Sequence, residues 1–264
     1  MFSYPFMQNA FLVGTLIAVV SGFVGVFVVA RHLSFLAHTL SEIGFAGAAF
    51  GLFMGWSPLW GMLIFTILAA TTIGELGMQE KRSESLISAV SAVAIGLGIA
   101  FLALSQKNAS AATSILFGSI FSISEQNIIQ VVLLAGGVLI VGLVLFRQLR
   151  HFAFDYQTAR FSLKNIVAIE VIFLVLMATT VAVSSQIVGS LLIFILMTLP
   201  ASSAMRIGRT VTQMLIYAIL FALIGVWSAL VLSFWTNLPV SFFIAIIEAA
   251  IYFVTLAFAQ KQIK

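Results

Sequence analysis

The sequence predicts an all-α fold: a polytopic bundle of about nine membrane-crossing helices, N-terminus outside and C-terminus inside, with a short extracellular half-helix and a short cytoplasmic helix. Three observations predict it. Of 264 residues, 62% are hydrophobic and 8% charged, against about 45–50% apolar and about 25% charged in soluble domains. Mean hydropathy is +1.21. The apolar residues also fall into runs near the length of about 20 that crosses a bilayer core. So few charges cannot cover a water-facing surface, which excludes soluble globular, disordered and collagen-like chains. The whole of 1–264 reads as one transmembrane domain.

The first run, 11–29, follows Phe2, Tyr4, Phe6 and Gln8, an interfacial lead-in with no basic stretch and no cleavage site, so no removable signal peptide is expected. The second, 33–55, begins after Arg31 and His32 and is lined with Ala37, Ser41, Gly44, Gly47, Ala48 and Gly51, a spacing that lets helix backbones approach closely. The third, 58–78, starts at Pro58. The fourth, 86–105, follows the charged loop holding Lys81 and Arg82. Residues 106–128 are polar at both ends, and the apolar piece from Ile115 to Ile120 is too short to span, so a re-entrant or surface half-helix is expected. The runs 129–146 and 165–183 end and begin near Arg147 and Lys164. The seventh, 187–200, is short and takes Pro200 as its end. The last two are 213–234 and 240–259.

Alternating these spans from an outside N-terminus tests them against charge. Arg31, Lys81, Arg82, Arg147, Arg150, Arg160, Lys164, Arg206, Arg209, Lys261 and Lys264 then face the cytoplasm, and Lys107 alone faces out. Lys and Arg concentrate in short cytoplasmic loops, so the alternation sets the orientation. The formal net charge of +4 is therefore a topology signal rather than a nucleic-acid footprint. A multi-pass plasma-membrane location follows.

Ionisable groups inside spans cost roughly 2.5–3.5 kcal/mol each at the helix centre, so each is a functional candidate. His38 and Glu42 lie four apart and share a helix face. Counted from the cytoplasmic end, Glu42 lies roughly 13 Å deep, near mid-membrane. An imidazole and a carboxylate one turn apart can ligate a divalent cation, nitrogen suiting zinc and oxygen also suiting manganese. The pair could equally be a hydrogen bond that joins helices. Glu248, near mid-depth in the last span, and Glu170, a third of the way into the sixth, are further metal-pathway candidates. No resident cofactor is expected; a metal ion would be the transported substrate.

The absences narrow the chemistry. With no cysteine, disulfides and thiolate ligands are excluded. No G-x-x-x-x-G-K-[ST] is present, so the chain has no P-loop of its own, and neither H-E-x-x-H nor G-x-S-x-G occurs. Two cytoplasmic segments are longer than linkers need to be: Arg147 to Lys164, and Leu199 to Arg209, where Pro200 can open a short helix.

Several stretches carry a family resemblance. Val188-Gly189-Ser190-Leu191-Leu192 followed by Leu199-Pro200-Ala201-Ser202-Ser203-Ala204 resembles the V-G-x-L-L…P-A-A-x-A signature of the membrane permeases of metal-ion ABC importers, which carry zinc, manganese or iron(II). Phe154-Asp155 and Ala159 resemble the family's F-D-P-E-x-A loop, with Tyr156-Gln157 in place of P-E. Leu116-Phe117-Gly118-Ser119-Ile120 is similar to its L-F-G-S segment, and Ser41 with Ala46-Gly47 to its second-helix motif. Family members typically place Asp and then His in that helix; here His38 and Glu42 hold the same chemistry in reversed order.

The resemblance implies an importer of two permeases, two cytoplasmic ABC ATPases and an extracellular metal-binding protein. It implies ATP hydrolysis in the partner, a coupling helix around Pro200, and ATPase contacts at Asp155, Ala159, Pro200, Ala201, Ala204, Arg206 and Arg209. Zinc is favoured over manganese as cargo because an imidazole is present. A permease for another small nutrient, or an intramembrane hydrolase using His38 and Glu42, are the alternatives; the hydrolase lacks a nucleophile motif and further ligands.

Overall fold

A computed structural model describes residues 4–79, 84–105, 114–118, 120, 124–162, 165–190 and 192–262. Lys81, Arg82, Lys107, Lys164 and Lys264 lie outside these, as do residue 119 of the predicted Ile115 to Ile120 half-helix and the polar residues 106–113 and 121–123 beside it; the described part includes one helical turn over 114–117. The helices are α1 (Pro5–Ala30), α2 (Ser34–Met54), α3 (Pro58–Gln79), α4 (Glu84–Leu104), α5 (Glu125–Val144), α6 (Phe146–Phe154), α7 (Tyr156–Ser162), α8 (Ile166–Val188), α9 (Ile193–Ile207), α10 (Val211–Thr236) and α11 (Val240–Gln262). No strand occurs among the described residues. Among the described residues, seven helices are long and apolar enough to cross a membrane, and two more carry shorter apolar stretches, Pro58–Ile73 and Ile193–Ile207.

Local chemistry sets the helix ends. Pro5 stands in the first turn of α1, where its missing N–H is no loss. Ser124 and Thr210 accept hydrogen bonds from Asn127 and Gln213 backbone N–H groups, capping α5 and α10. Gly55 ends α2 in the left-handed conformation. Within the helices, Thr66, Thr180 and Thr198 return their hydroxyls to the carbonyls of Met62, Leu176 and Phe194, leaving no free O–H toward lipid.

Burial sorts the helices into layers. The most apolar windows of α1 and α2 are each 72% buried, against 22% for α4 and α5 and 17% for α11. The small-residue stripe explains the first two. A methyl group on Gly47 of α2 would meet the Gly61 backbone carbonyl of α3, and one on Gly61 would meet the Gly47 carbonyl, so these backbones touch. One group of packed helices is α2, α3, α4 and α8; the other is α9, α10 and α11, with α1 lying against both.

The nine predicted runs each fall on a helix, but the seventh is cut differently. Residues 187 and 188 belong to α8, and α9 runs without interruption through Pro200 to Ile207. Proline removes one hydrogen bond and normally stops a helix. Here packing overrides it: Ala201 and Ala204 are fully enclosed, and Gly25 of α1 sets its backbone against the Met197 carbonyl of α9. No separate helix therefore opens at Pro200. The separate short helices are α6 and α7, in the other long segment. At 15 residues, α9 is about 22 Å long, less than the hydrocarbon core of about 30 Å.

Candidate metal pathway

The break between α8 and α9 lies inside the bundle. Val188 and Ser190 are buried, and Gly189 has φ +99°. It crosses the 114–118 turn, whose Gly118 has φ +76°. Each glycine lies where a side chain would strike the other's backbone, and both conformations are ones that only glycine adopts freely. Ser190 N–H donates to the Ile115 carbonyl at 3.1 Å, tying the two segments together. From the third side, Ser41 of α2 donates its hydroxyl to the Ser190 carbonyl. Three stretches that sequence reading singled out separately thus meet at one point.

His38 and Glu42 stand beside it. His38 Nε2 is 3.5 Å from Glu42 Oε1, and the two side chains are 37% and 27% exposed, an open patch on an otherwise buried helix. Two ligands bonded at about 2.1 Å to one tetrahedral ion are about 3.4 Å apart, so the spacing suits a shared cation. Ser91 of α4 donates its hydroxyl to Glu42 Oε2. The His38 ring packs against Phe194 of α9 at 5.0 Å, and its Nδ1 is enclosed without a hydrogen-bond partner among the described residues.

The other acidic candidates do not join them. No group of three or more His, Asp or Glu comes together among the described residues. Glu170 is buried in the second turn of α8. From it to the end of α8 at Val188 is about 27 Å along the axis, and the crossing next to α2 is at that far end. Glu248 is fully buried on α11 against Gly225 of α10, and neither carboxylate oxygen has a hydrogen-bond partner among the described residues. Expectation and structure differ here: depth in a span can be counted along the sequence, but the neighbouring helix cannot.

The expected ATPase contacts also divide. Ala159, Ala201 and Ala204 have no exposed surface and Pro200 is buried, so in this conformation they pack within the chain rather than present a surface. Asp155, Arg206 and Arg209 are exposed. Asp155 Oδ1 accepts from Thr158 N–H and caps α7, and Arg206 donates to the Tyr252 hydroxyl at 2.8 Å. A cavity of about 260 Å³ lined by Arg150, His151, Phe154, Asp155 and 210–212 sets the first long segment against the residues that directly follow the second.

Ser91 and Phe194 were not singled out by sequence reasoning, and Ser190 entered it only as one position of the 188–192 motif. Ser91 carried a faint signal, a hydroxyl in the apolar run of α4. Ser190 acts through its carbonyl, which has no sequence signature.

A bundle of this kind, with a His–Glu pair among its apolar helices, is a multi-pass membrane protein. The chain belongs to the ABC 3 transport family, which it matches over residues 3–259. It is 30% identical to a probable metal transport system membrane protein of Treponema pallidum, over 98% of both chains. To the manganese transport system membrane protein MntC of Listeria monocytogenes it is 25% identical, over 98% of this chain and 92% of that one. To the high-affinity zinc uptake system membrane protein ZnuB of Haemophilus influenzae it is 27% identical, over 87% and 88%. Its fold is similar to a solved chain of PsaBC from Streptococcus pneumoniae in complex with Fab, with a TM-score of 0.86, 22% identity, and 96% and 91% of the two chains covered.

Proposed function

We propose that this chain is the permease of an ATP-driven importer of divalent metal ions, with zinc the favoured cargo and manganese next. The observation that carries the reading is the His38–Glu42 pair, one turn apart, spaced for one ion and partly exposed on an otherwise buried helix. An imidazole nitrogen beside a carboxylate oxygen fits zinc slightly better than manganese. The named relatives carry both metals.

Two protein ligands do not close a coordination shell. A second copy of the chain, placing its own pair opposite, would supply two nitrogens and two oxygens, and the openness of the α2 patch supports such a pairing. An incomplete shell also suits cargo, which must be released as well as bound. An extracellular metal-binding protein would deliver the ion. Cytoplasmic ABC ATPases would dock at the end where Asp155, Arg206 and Arg209 are exposed, the side to which the positive-inside rule assigns the basic loops.

The test is uptake of zinc and of manganese by the permease assembled with its ATPase, comparing wild type with a His38→Ala, Glu42→Ala double variant. Uptake is expected to fall at least about tenfold, the loss typical when metal ligation is disturbed. Normal accumulation by a properly assembled double variant would sink the reading. Competition between zinc and manganese orders the two cargoes.

A further inference from the structure

Arg31 closes α1, and its guanidinium carbon lies 4.4 Å from the ring centre of Phe152 on α6 and 4.2 Å from that of Tyr156 on α7. The two rings meet nearly edge-on, 5.8 Å apart at 73°. A planar, weakly hydrated guanidinium stacks on ring faces in a way that a lysine ammonium does not. Both sides of this sandwich are firmly held. Phe152 is 1% exposed and packs on Phe173 of α8 at 5.9 Å. Tyr156 begins α7 immediately after Asp155, where the two short helices bend.

The turn that follows Arg31 is equally stiff. His32 takes a positive φ of 56°, Leu33 N–H bonds the Val28 carbonyl at 2.9 Å, and Ala37 N–H bonds the Leu33 carbonyl at 2.9 Å. Leu33 itself is buried. The backbone from Arg31 to His38 and Glu42 is thus one hydrogen-bonded unit.

We infer that Arg31 is the positioning residue that transmits movement of the α6–α7 elbow to α2, and so to the His38–Glu42 pair. The inference rests on the transport reading above. Pushing the exposed Asp155 elbow moves Tyr156 and Phe152; the clamped guanidinium carries that displacement into the α1–α2 turn, and α2 follows as a rigid rod.

The test uses the permease–ATPase complex in proteoliposomes, supplied with its extracellular metal-binding protein loaded with zinc or manganese, measuring ATP hydrolysis together with uptake of each metal. Arg31→Lys keeps the charge and loses the planar stack; Tyr156→Leu removes one ring at a half-buried position; Tyr156→Phe keeps the ring. In the first two variants, hydrolysis is expected to stay within about twofold of wild type, while metal carried per ATP falls about tenfold. Tyr156→Phe is expected to behave as wild type. The inference is overturned if Arg31→Lys and Tyr156→Leu keep the wild-type ratio. It is equally overturned if hydrolysis and uptake fall together with the yield of complex, which marks a merely structural staple. A wild-type complex that moves neither metal removes the transport reading itself, an outcome distinct from both.

Discussion

Ser91 on α4 donates its hydroxyl to Oε2 of Glu42 on α2, which leaves Oε1 turned toward His38. The bond holds the carboxylate in the orientation that a shared ion needs, and it limits Glu42 to one free oxygen. Groups that orient a metal ligand typically contribute 10–100-fold in affinity. Ser91→Ala is therefore expected to raise the half-saturating metal concentration for uptake about tenfold, with normal amounts of assembled complex. Ser91→Thr keeps a hydroxyl and is expected to stay closer to wild type. A saturation curve unchanged in Ser91→Ala would remove this role.

The contact between α2 and α3 is made by backbone, and its stability should depend on single methyl groups. In Gly47→Ala or Gly61→Ala the added carbon meets a main-chain carbonyl that cannot rotate away. A loss of about 2–3 kcal/mol is expected, at the upper end of overpacking. Gly96 of α4 has open space where a side chain would go. Gly96→Ala is expected to be neutral or to stabilise by up to about 1 kcal/mol through helix propensity. Thermal unfolding of the detergent-purified chain ranks the three, and equal effects would contradict the backbone contact.

Glu248 and Gly225 should be energetically coupled. A methyl on Gly225 runs into the Glu248 carboxylate, so Gly225→Ala alone is expected to destabilise by about 1–3 kcal/mol. Adding Glu248→Ala makes room, and the double variant is expected to recover most of the loss, a coupling of about 0.5–3 kcal/mol. Glu248→Gln keeps the shape and removes a buried group that can carry charge without a partner. It is expected to be at least as stable as wild type. Strict additivity in the cycle would mean that the two residues do not touch.

The apolar runs were legible because membrane length and a helical rise of about 1.5 Å per residue leave little freedom in where they begin and end. His38 and Glu42 were legible for a related reason: four residues make one turn in any helix, whatever surrounds it. What could not be read was decided by neighbours. Pro200 looks like a helix end until Gly25 of α1 and the enclosed Ala201 and Ala204 hold the chain helical through it. The depth of Glu248 could be counted along its span, but not that it packs against Gly225 of α10. The sandwich around Arg31 joins residues more than a hundred positions apart, and no local pattern announces such a pair.

The crossing of the 114–118 turn with the 188–190 break has one more consequence. Its two centres are glycines packed backbone to backbone, so neither has a side chain to exchange for a larger, smaller or differently charged one. A chain of this design cannot adapt to a new cargo by altering that junction, because the smallest available change, a single methyl, already obstructs it. On the transport reading proposed above, adaptation would come from the groups around it, such as His38, Glu42, Ser91 and Phe194, while the junction itself stays fixed.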